Sequence, residues 1–412
     1  MERWAACTDF PGRSGFTAHL TARAASDCSG AAEETSLTTT AEPYNGFEQG
    51  PIRPPSESGS LLIRVTRNCP WNRCAFCGLY KGEAFSQRPV DHVLRDIDAV
   101  RRAVELLRAG QGGAQCNAAE DQGEQAALHA ARNWLQAGGR SVFLQDSNSL
   151  IIKPDNLIAI LAHLKSAFPE IGRITSYARS QTIARISQAD LNRIAAAGLN
   201  RIHIGLESGC DAVLAQVNKG ADRETHILAG RKVKTAGIEL SEYYMPGLGG
   251  RALSRQHALD SADALSRINP DFIRLRTLAL PEGLELAGEQ ASGRFAKMGD
   301  RETAEELLLF LQSLSGITSR IKSDHILNLF EEIDGVLPGD RGWMEEVIRR
   351  FLAMDPEQQV LYQIGRRVGL FRRLDDCRDP GLRRQAERFV EQWTVTPENV
   401  DAICDQLMQR FI

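Results

Sequence analysis

The sequence predicts an α/β protein: a partial, TIM-like (β/α)6 barrel followed by a helical C-terminal region. Three observations carry this. Short apolar runs alternate with longer amphipathic stretches from about residue 60 to 285. Six such pairs occur, fewer than the eight of a closed barrel. Near residue 300 the strand signal stops and helical periodicity alone continues. Strands that alternate with helices read as βα units on a parallel sheet, and six of them leave the barrel open.

Residues 1–58 are rich in Ala, Ser, Thr, Gly and Pro and lack either periodicity, so they are expected to be disordered or draped over the surface. The barrel is assigned to 59–290 and the helical region to 291–412. Expected strands are 61–65, 141–144, 173–176, 201–206, 238–244 and 272–277. Expected helices between them are 90–109, 154–167, 188–197, 223–236 and 254–267. The polar, Gly- and Gln-rich stretch 110–127 reads as a surface insertion or mobile loop. C-terminal helices are expected over 301–315, 343–354, 358–371, 380–393 and 397–411.

The 412 residues are 42% apolar and 25% charged, with a formal net charge of −4. A sizeable core is therefore available, and a generally basic nucleic-acid surface is not. No apolar run approaches the length of a membrane span. The N-terminus lacks the charged-then-apolar plan of a secretory signal, which points to the cytoplasm. Nine cysteines, three of them within nine residues, do not look like a disulfide framework; metal binding in a reducing compartment fits better.

The cluster is Cys69, Cys74 and Cys77, in the loop directly after the first expected strand. The C-terminal end of a barrel strand is where chemistry is placed. Three thiolates can hold three irons of a cubane and leave the fourth open to a small chelating group. A zinc knuckle, or another zinc- or Fe–S-binding structural or RNA-binding module, is the competing reading; zinc asks for a fourth ligand. The nearest downstream histidine is His92, inside an expected helix.

From residue 61 to 285 the chain resembles the radical S-adenosylmethionine (SAM) superfamily. The family spaces its cysteines three then two apart; here four residues separate Cys69 from Cys74 and two separate Cys74 from Cys77. The resemblance implies a [4Fe–4S] cluster on the three cysteines, SAM on its open iron, and reductive cleavage of SAM to a 5′-deoxyadenosyl radical that abstracts hydrogen from an organic substrate. It also implies an external electron donor such as flavodoxin or ferredoxin. Phe76 occupies the aromatic position before the last cysteine, which in the family lies on the adenine side. Asp146 and Asn148 match the strand-end turn that receives the SAM amino group; a polar turn that caps the helix at Pro154 is the alternative. Ser176 and Arg179 would point into the barrel mouth, or else form a solvated strand end.

The run from Gly205 to Gly209, Gly-Leu-Glu-Ser-Gly, followed by Lys219-Gly220, resembles a pattern of many superfamily members. The match implies Glu207 and Ser208 close to SAM and Lys219 on its carboxylate, against the plain reading of Lys219 as a helix-dipole partner. Arg274 and Arg276 share a face by period two and could reach an acidic substrate, or be a solvated pair. His325, within the polar run 322–328, reads either as a proton donor or as a satisfied core histidine. The layout is similar to the coproporphyrinogen oxidase branch, but the cysteine spacing departs from it and its substrate is not carried over. There is no second three-cysteine set, and 58 residues are too few for a cobalamin domain, so one cluster is expected. The substrate, a small molecule or peptide, is not specified.

Overall fold

The computed structural model describes residues 42–110 and 122–409. Ten strands lie among them: β1 (Leu61–Arg64), β2 (Thr66–Arg67), β3 (Ser86–Gln87), β4 (Ser141–Gln145), β5 (Arg173–Ala178), β6 (Arg201–Glu207), β7 (Glu239–Tyr244), β8 (Phe272–Leu275), β9 (Arg320–Lys322) and β10 (Asp334–Val336). The main sheet runs β1-β4-β5-β6-β7-β8-β9-β10, while β2 and β3 form a separate ribbon. Every neighbouring pair from β1 to β9 is parallel and β10 is antiparallel to β9. The order does not return on itself, so the barrel is partial.

Crossover helices join the parallel strands. They are Val90–Arg108 and Gln122–Gln136, then Pro154–Ala167, Gln188–Ala197, Arg223–Thr235, Gly250–Ile268 and Asp300–Ser313. Local chemistry sets their ends. Ser187 accepts from the Asp190 N–H at one N-terminus, and left-handed Gly198 closes the same helix. Asp222 caps the next by accepting from the Thr225 N–H.

The pleat sorts side chains by period two. In β6, Ile202, Ile204 and Leu206 join the core shared with the crossover helices, while Arg201, His203, Gly205 and Glu207 face the lumen. In β5 the core takes Ile174 and Ala178, leaving Arg173, Thr175 and Tyr177 for the lumen. Phe143, Tyr177, His203 and Tyr243 line the lumen as a chain of aromatic contacts, with ring centroids 5.2–6.5 Å apart.

The structure departs from the expectations in three places. First, the parallel sheet continues past the sixth unit. β9 and β10 are three residues each, too short to show alternation, and β9 is held by the free edge of β8. Lys322 therefore ends a strand, and residues 323–328 of the polar run form a loop. Second, helix Gln122–Gln136 begins inside the stretch expected to be a loop. Its buried face is Gly123, Ala127, Leu128, Ala130, Ala131 and Trp134, mostly small residues that give a weak apolar signal. Residues 111–121 lie outside the described residues.

Third, residues 44–57 lie along the barrel. The Gly50 N–H donates to Gln145 Oε1 (2.8 Å), and Gln145 Nε2 donates back to Gly50 O and Ile52 O. Glu57 is fully buried, accepting from Ser60 Oγ (2.5 Å) and facing His203 at 3.6 Å. These partners are tens of residues or more away for the most part, so no local period announces them. The expectation for residues 1–41 lies outside the described residues.

The expected C-terminal helices are present as Arg341–Leu352, Pro356–Arg367, Pro380–Gln392 and Val400–Met408. The core that includes Phe47 and Leu61 runs on through Phe351, Tyr362 and Ala386, so the first three of these helices share the barrel's apolar core, while Val400–Met408 packs in a separate cluster with Val360 and Ile364.

Candidate functional site

The cysteine loop leaves the C-terminal end of β1 by way of β2. Asn68 (φ 65°) and Asn72 (φ 47°) adopt left-handed backbone, a region Asn tolerates better than most residues. Cys69, Cys74 and Cys77 are free and partly exposed. The Asn72 N–H donates to Cys69 Sγ at 3.4 Å. The Ala75 N–H donates to Val217 O (2.9 Å), which ties the loop to the segment after β6.

Trp71 makes the second tie. Its Nε1–H donates to Asn218 O (2.7 Å), and its ring lies against Gly220. A Cβ on Gly220 would come within 2.4 Å of that ring, and Gly220 has φ +72°. Arg179 stacks over the same indole, 5.0 Å from the ring centroid, and donates to Lys219 O (2.7 Å).

Lys219 is thereby brought to the cysteines. Its Nζ lies 5.7 Å from the Phe76 ring centroid and 3.2 Å from Glu207 Oε1. Gly205 makes room for this pair, since a Cβ there would meet Glu207 Oε1 at 2.2 Å. Glu207 itself sits at a register shift between β6 and β7, with φ 61°. Its second oxygen, Oε2, is buried without a hydrogen-bond partner.

The charges of this group interact. Burial pushes the Cys74 thiol up, with Lys219 and Arg179 pulling against it. Burial pulls the Arg179 guanidinium down, and the Cys69 and Cys74 thiols hold it up. For Lys219 burial pulls down, but Glu207 and Cys74 outweigh it and the ammonium is stabilised. On β7 the Glu242 carboxyl is fully buried, with both oxygens unpartnered. Burial first and Glu207 second push it well above the usual carboxylate range.

Seven expected site residues therefore meet at one mouth: Cys69, Cys74, Cys77, Phe76, Arg179, Glu207 and Lys219. Four others stand behind it. Asp146 is fully buried and accepts from Arg64 Nη2 (2.8 Å), the Asn68 N–H (3.4 Å) and the Tyr80 hydroxyl, so it clamps both ends of the cysteine loop. Asn148 donates to Thr182 Oγ1 (2.9 Å) and accepts from the Arg179 N–H (3.1 Å), fixing the end of β5. Ser176 corrects the expectation that it points into the mouth. It shares the helix-facing side with Ile174 and Ala178, and its hydroxyl donates to Tyr177 O (3.0 Å). Arg179, three residues on, is on the opposite side by period two.

Ser208 is fully buried and bonds His257 Nδ1 at 2.8 Å, while His257 Nε2 bonds Met245 O at 3.0 Å. His257 thus links the turns after β6 and β7. Sequence reasoning missed His257, Trp71, Tyr80 and Glu242. Trp71 lies between two of the cysteines and Tyr80 just beyond the third, which was the available signal.

The donor set fits an iron–sulfur cluster. It comprises three free thiols on one loop, two neighbouring cations, and an orphaned carboxylate oxygen at Glu207. Among the described residues, no group of three or more His, Cys, Asp or Glu side chains is arranged to hold a single metal ion; a cubane takes one thiolate per iron.

Comparison with known proteins agrees with this reading. Residues 63–261 match the family model of the radical SAM superfamily. The chain is 23% identical over 199 residues to the tRNA uridine(34) acetyltransferase of Methanocaldococcus infernus, covering 47% of this chain and 34% of that protein. It is 26% identical over 215 residues to a CDK5RAP1-like protein of Oryza sativa subsp. japonica, covering 50% of this chain and 34% of that one. The chain thus spans about a third of the length of these curated relatives. Among solved structures, the Escherichia coli coproporphyrinogen III oxidase, a radical SAM enzyme, superposes with a TM-score of 0.41 at 16% identity, covering 61% of this chain and 52% of that chain. The match to the radical SAM superfamily thus takes in a little under half of the chain, and enzymes of that superfamily use a [4Fe–4S] cluster and SAM.

Proposed function

We propose that Cys69, Cys74 and Cys77 hold the [4Fe–4S] cluster and that Phe76, Glu207, Lys219 and Arg179 form the SAM side of the site. The observation that carries this is the meeting of the Cys74 thiol, Lys219, Arg179 and the half-satisfied Glu207 at one end of the sheet. When bound, the cluster supplies one electron to SAM, whose C5′–S bond breaks to give methionine and a 5′-deoxyadenosyl radical that takes a hydrogen atom from an organic substrate.

The chain's own groups have distinct tasks. Lys219 keeps its proton and offers a cation to the SAM carboxylate. Glu207 offers Oε2 as an acceptor for a hydroxyl or ammonium of SAM, because only its Oε1 is engaged. Phe76 supplies an apolar surface for the adenine side. Arg179 offsets thiolate charge while its stack on Trp71 keeps it in place. Asp146, Asn148, Ser208 and His257 act as positioning residues that hold the loops carrying these groups.

The electron comes from an external donor such as flavodoxin or ferredoxin. The reading places the protein in the cytoplasm, where thiols stay reduced. No helix among the described residues is long and apolar enough to cross a membrane. The test is anaerobic reconstitution followed by reduction with SAM. The wild type is expected to bind about four irons and to release 5′-deoxyadenosine. Cys69→Ala, Cys74→Ala and Cys77→Ala should each lose both. A reduced, iron-loaded wild type that leaves SAM intact would overturn the proposal.

A further inference from the structure

Arg274 and Arg276 lie on the lumen side of β8 and its continuation, yet the fold treats them differently. Arg274 is 4% exposed, and its guanidinium is engaged with Ser241 Oγ (3.1 Å) and Asp324. Arg276 is anchored through its backbone, whose N–H donates to Tyr244 O at 3.0 Å. Its guanidinium makes no hydrogen bond or ion pair with the described residues, although it is only partly exposed.

The surroundings of that guanidinium are set by the barrel. Arg276 shares the face of Arg274, which pairs with Tyr243 across the sheet, and its charge bears on Tyr177, Tyr243 and His325. The Tyr177 and Tyr243 rings are 6.4 Å apart, centroid to centroid. The Tyr243 hydroxyl is buried beside the Tyr177 hydroxyl, which can donate to its oxygen and leave the Tyr243 proton available. Tyr177 also feels the charge of Glu207, the acid that pairs with Lys219. Tyr177 therefore lies between the unpartnered cation of Arg276 on one side and the proposed SAM site on the other.

A guanidinium partly removed from water with no counter-charge is costly to keep. Arginine's planar fork matches a carboxylate or phosphate, and a phenol hydroxyl adds one further donor. We infer that Arg276, together with the Tyr243 hydroxyl, binds the anionic group of a carboxylate- or phosphate-bearing small molecule, which is the substrate held in the lumen. The inference rests on the SAM-cleaving reading above for the word substrate. The aromatic walls Tyr177, Tyr243 and His203 suit the apolar part of such a molecule, and the anion's anchor leaves that part directed past Tyr177 toward Glu207.

Binding can be measured without catalysis. Small molecules extracted from cells that make the protein natively are separated by anion exchange. Each fraction is equilibrated with full-length, cluster-loaded protein, and retained compounds are read by ultrafiltration and mass spectrometry. The expected result is retention from the anion-exchange-bound fraction, at least tenfold lower for Arg276→Gln and partly recovered for Arg276→Lys. Because the Arg276 side chain makes no bonds to the rest of the protein, Arg276→Gln should fold, which circular dichroism checks.

Phosphatase treatment of the fraction removes retention if the anion is a phosphate. Carbodiimide amidation removes it if the anion is a carboxylate. Equal retention by Arg276→Gln and wild type, retention of neutral or cationic compounds alone, or no retention would each overturn the inference. Retention does not depend on 5′-deoxyadenosine formation. A protein that keeps the anion but leaves SAM intact sinks only the SAM-cleaving reading.

Discussion

At the residue scale the site turns on Glu207 and Lys219. A non-glycine residue at φ 61°, next to a register shift, is costly backbone of the kind that gathers at functional sites. Here it carries the Glu207 carboxylate onto Lys219 and leaves one oxygen free. Replacing Lys219 with Met removes the cation while keeping the length of the side chain. Lys219→Met is expected to weaken SAM binding by roughly 10- to 100-fold, the worth of one charge-assisted hydrogen bond, as measured by equilibrium dialysis. Glu207 and Lys219 were legible because their types and spacing form a run that stands out. Ser208 was not separable from Glu207 in the sequence. Only the pleat and the β6 bulge turn one toward the lumen and the other toward His257.

At the scale of elements, the cysteine loop and the turn after helix Asp211–Gln216 behave as one unit. Trp71 joins them, and Gly220 gives it space. Gly220→Ala places a methyl 2.4 Å from the indole in a backbone region that disfavours alanine. It should cost about 1–3 kcal/mol and lower iron content after reconstitution. Trp71→Phe keeps a ring but loses the bond to Asn218 O; it should cost about 1 kcal/mol and leave more iron than Gly220→Ala. Thermal unfolding and iron assay on the same samples check both. The longer spacing from Cys69 to Cys74 houses Trp71, which makes this clasp. The sequence shows the extra residue; the partner of Trp71 lies 147 positions away and was not visible in it.

For the whole molecule, the C-terminal helices are tied to the barrel by a buried ion pair. Arg367, on Pro356–Arg367, bonds Asp300, at the start of Asp300–Ser313, and donates to Leu327 O at 2.7 Å. Arg367→Met leaves Asp300 buried and uncompensated, and should cost about 3–5 kcal/mol in urea unfolding. Acid should also destabilise the fold through buried His226, whose pKa burial lowers to about 3. The unfolded histidine takes up its proton near pH 6.5, where the folded one does not. The unfolded state then binds more protons, so stability falls as pH drops below about 6.5, by about 1.4 kcal/mol per unit for one such histidine. Urea midpoints between pH 7 and pH 5.5 should shift down, and His226→Gln should flatten that slope.

The sequence by itself determined most of the element types, the parallel βα plan, and the gathering of three metal-ligating thiols in one loop. These are local properties: an apolar period of two or 3.6 residues, and ligand types at short spacing. The β5 helix-side position of Ser176, the strands Arg320–Lys322 and Asp334–Val336, and the course of residues 44–57 were decided only by tertiary structure. Each depends on a partner distant in the chain: an open sheet edge, a neighbouring strand, or a lumen wall. The same holds for Arg274 and Arg276. They are alike in the sequence by residue type and face, and the fold separates them by giving Asp324 to one and leaving the other's charge unpartnered at the mouth of the barrel.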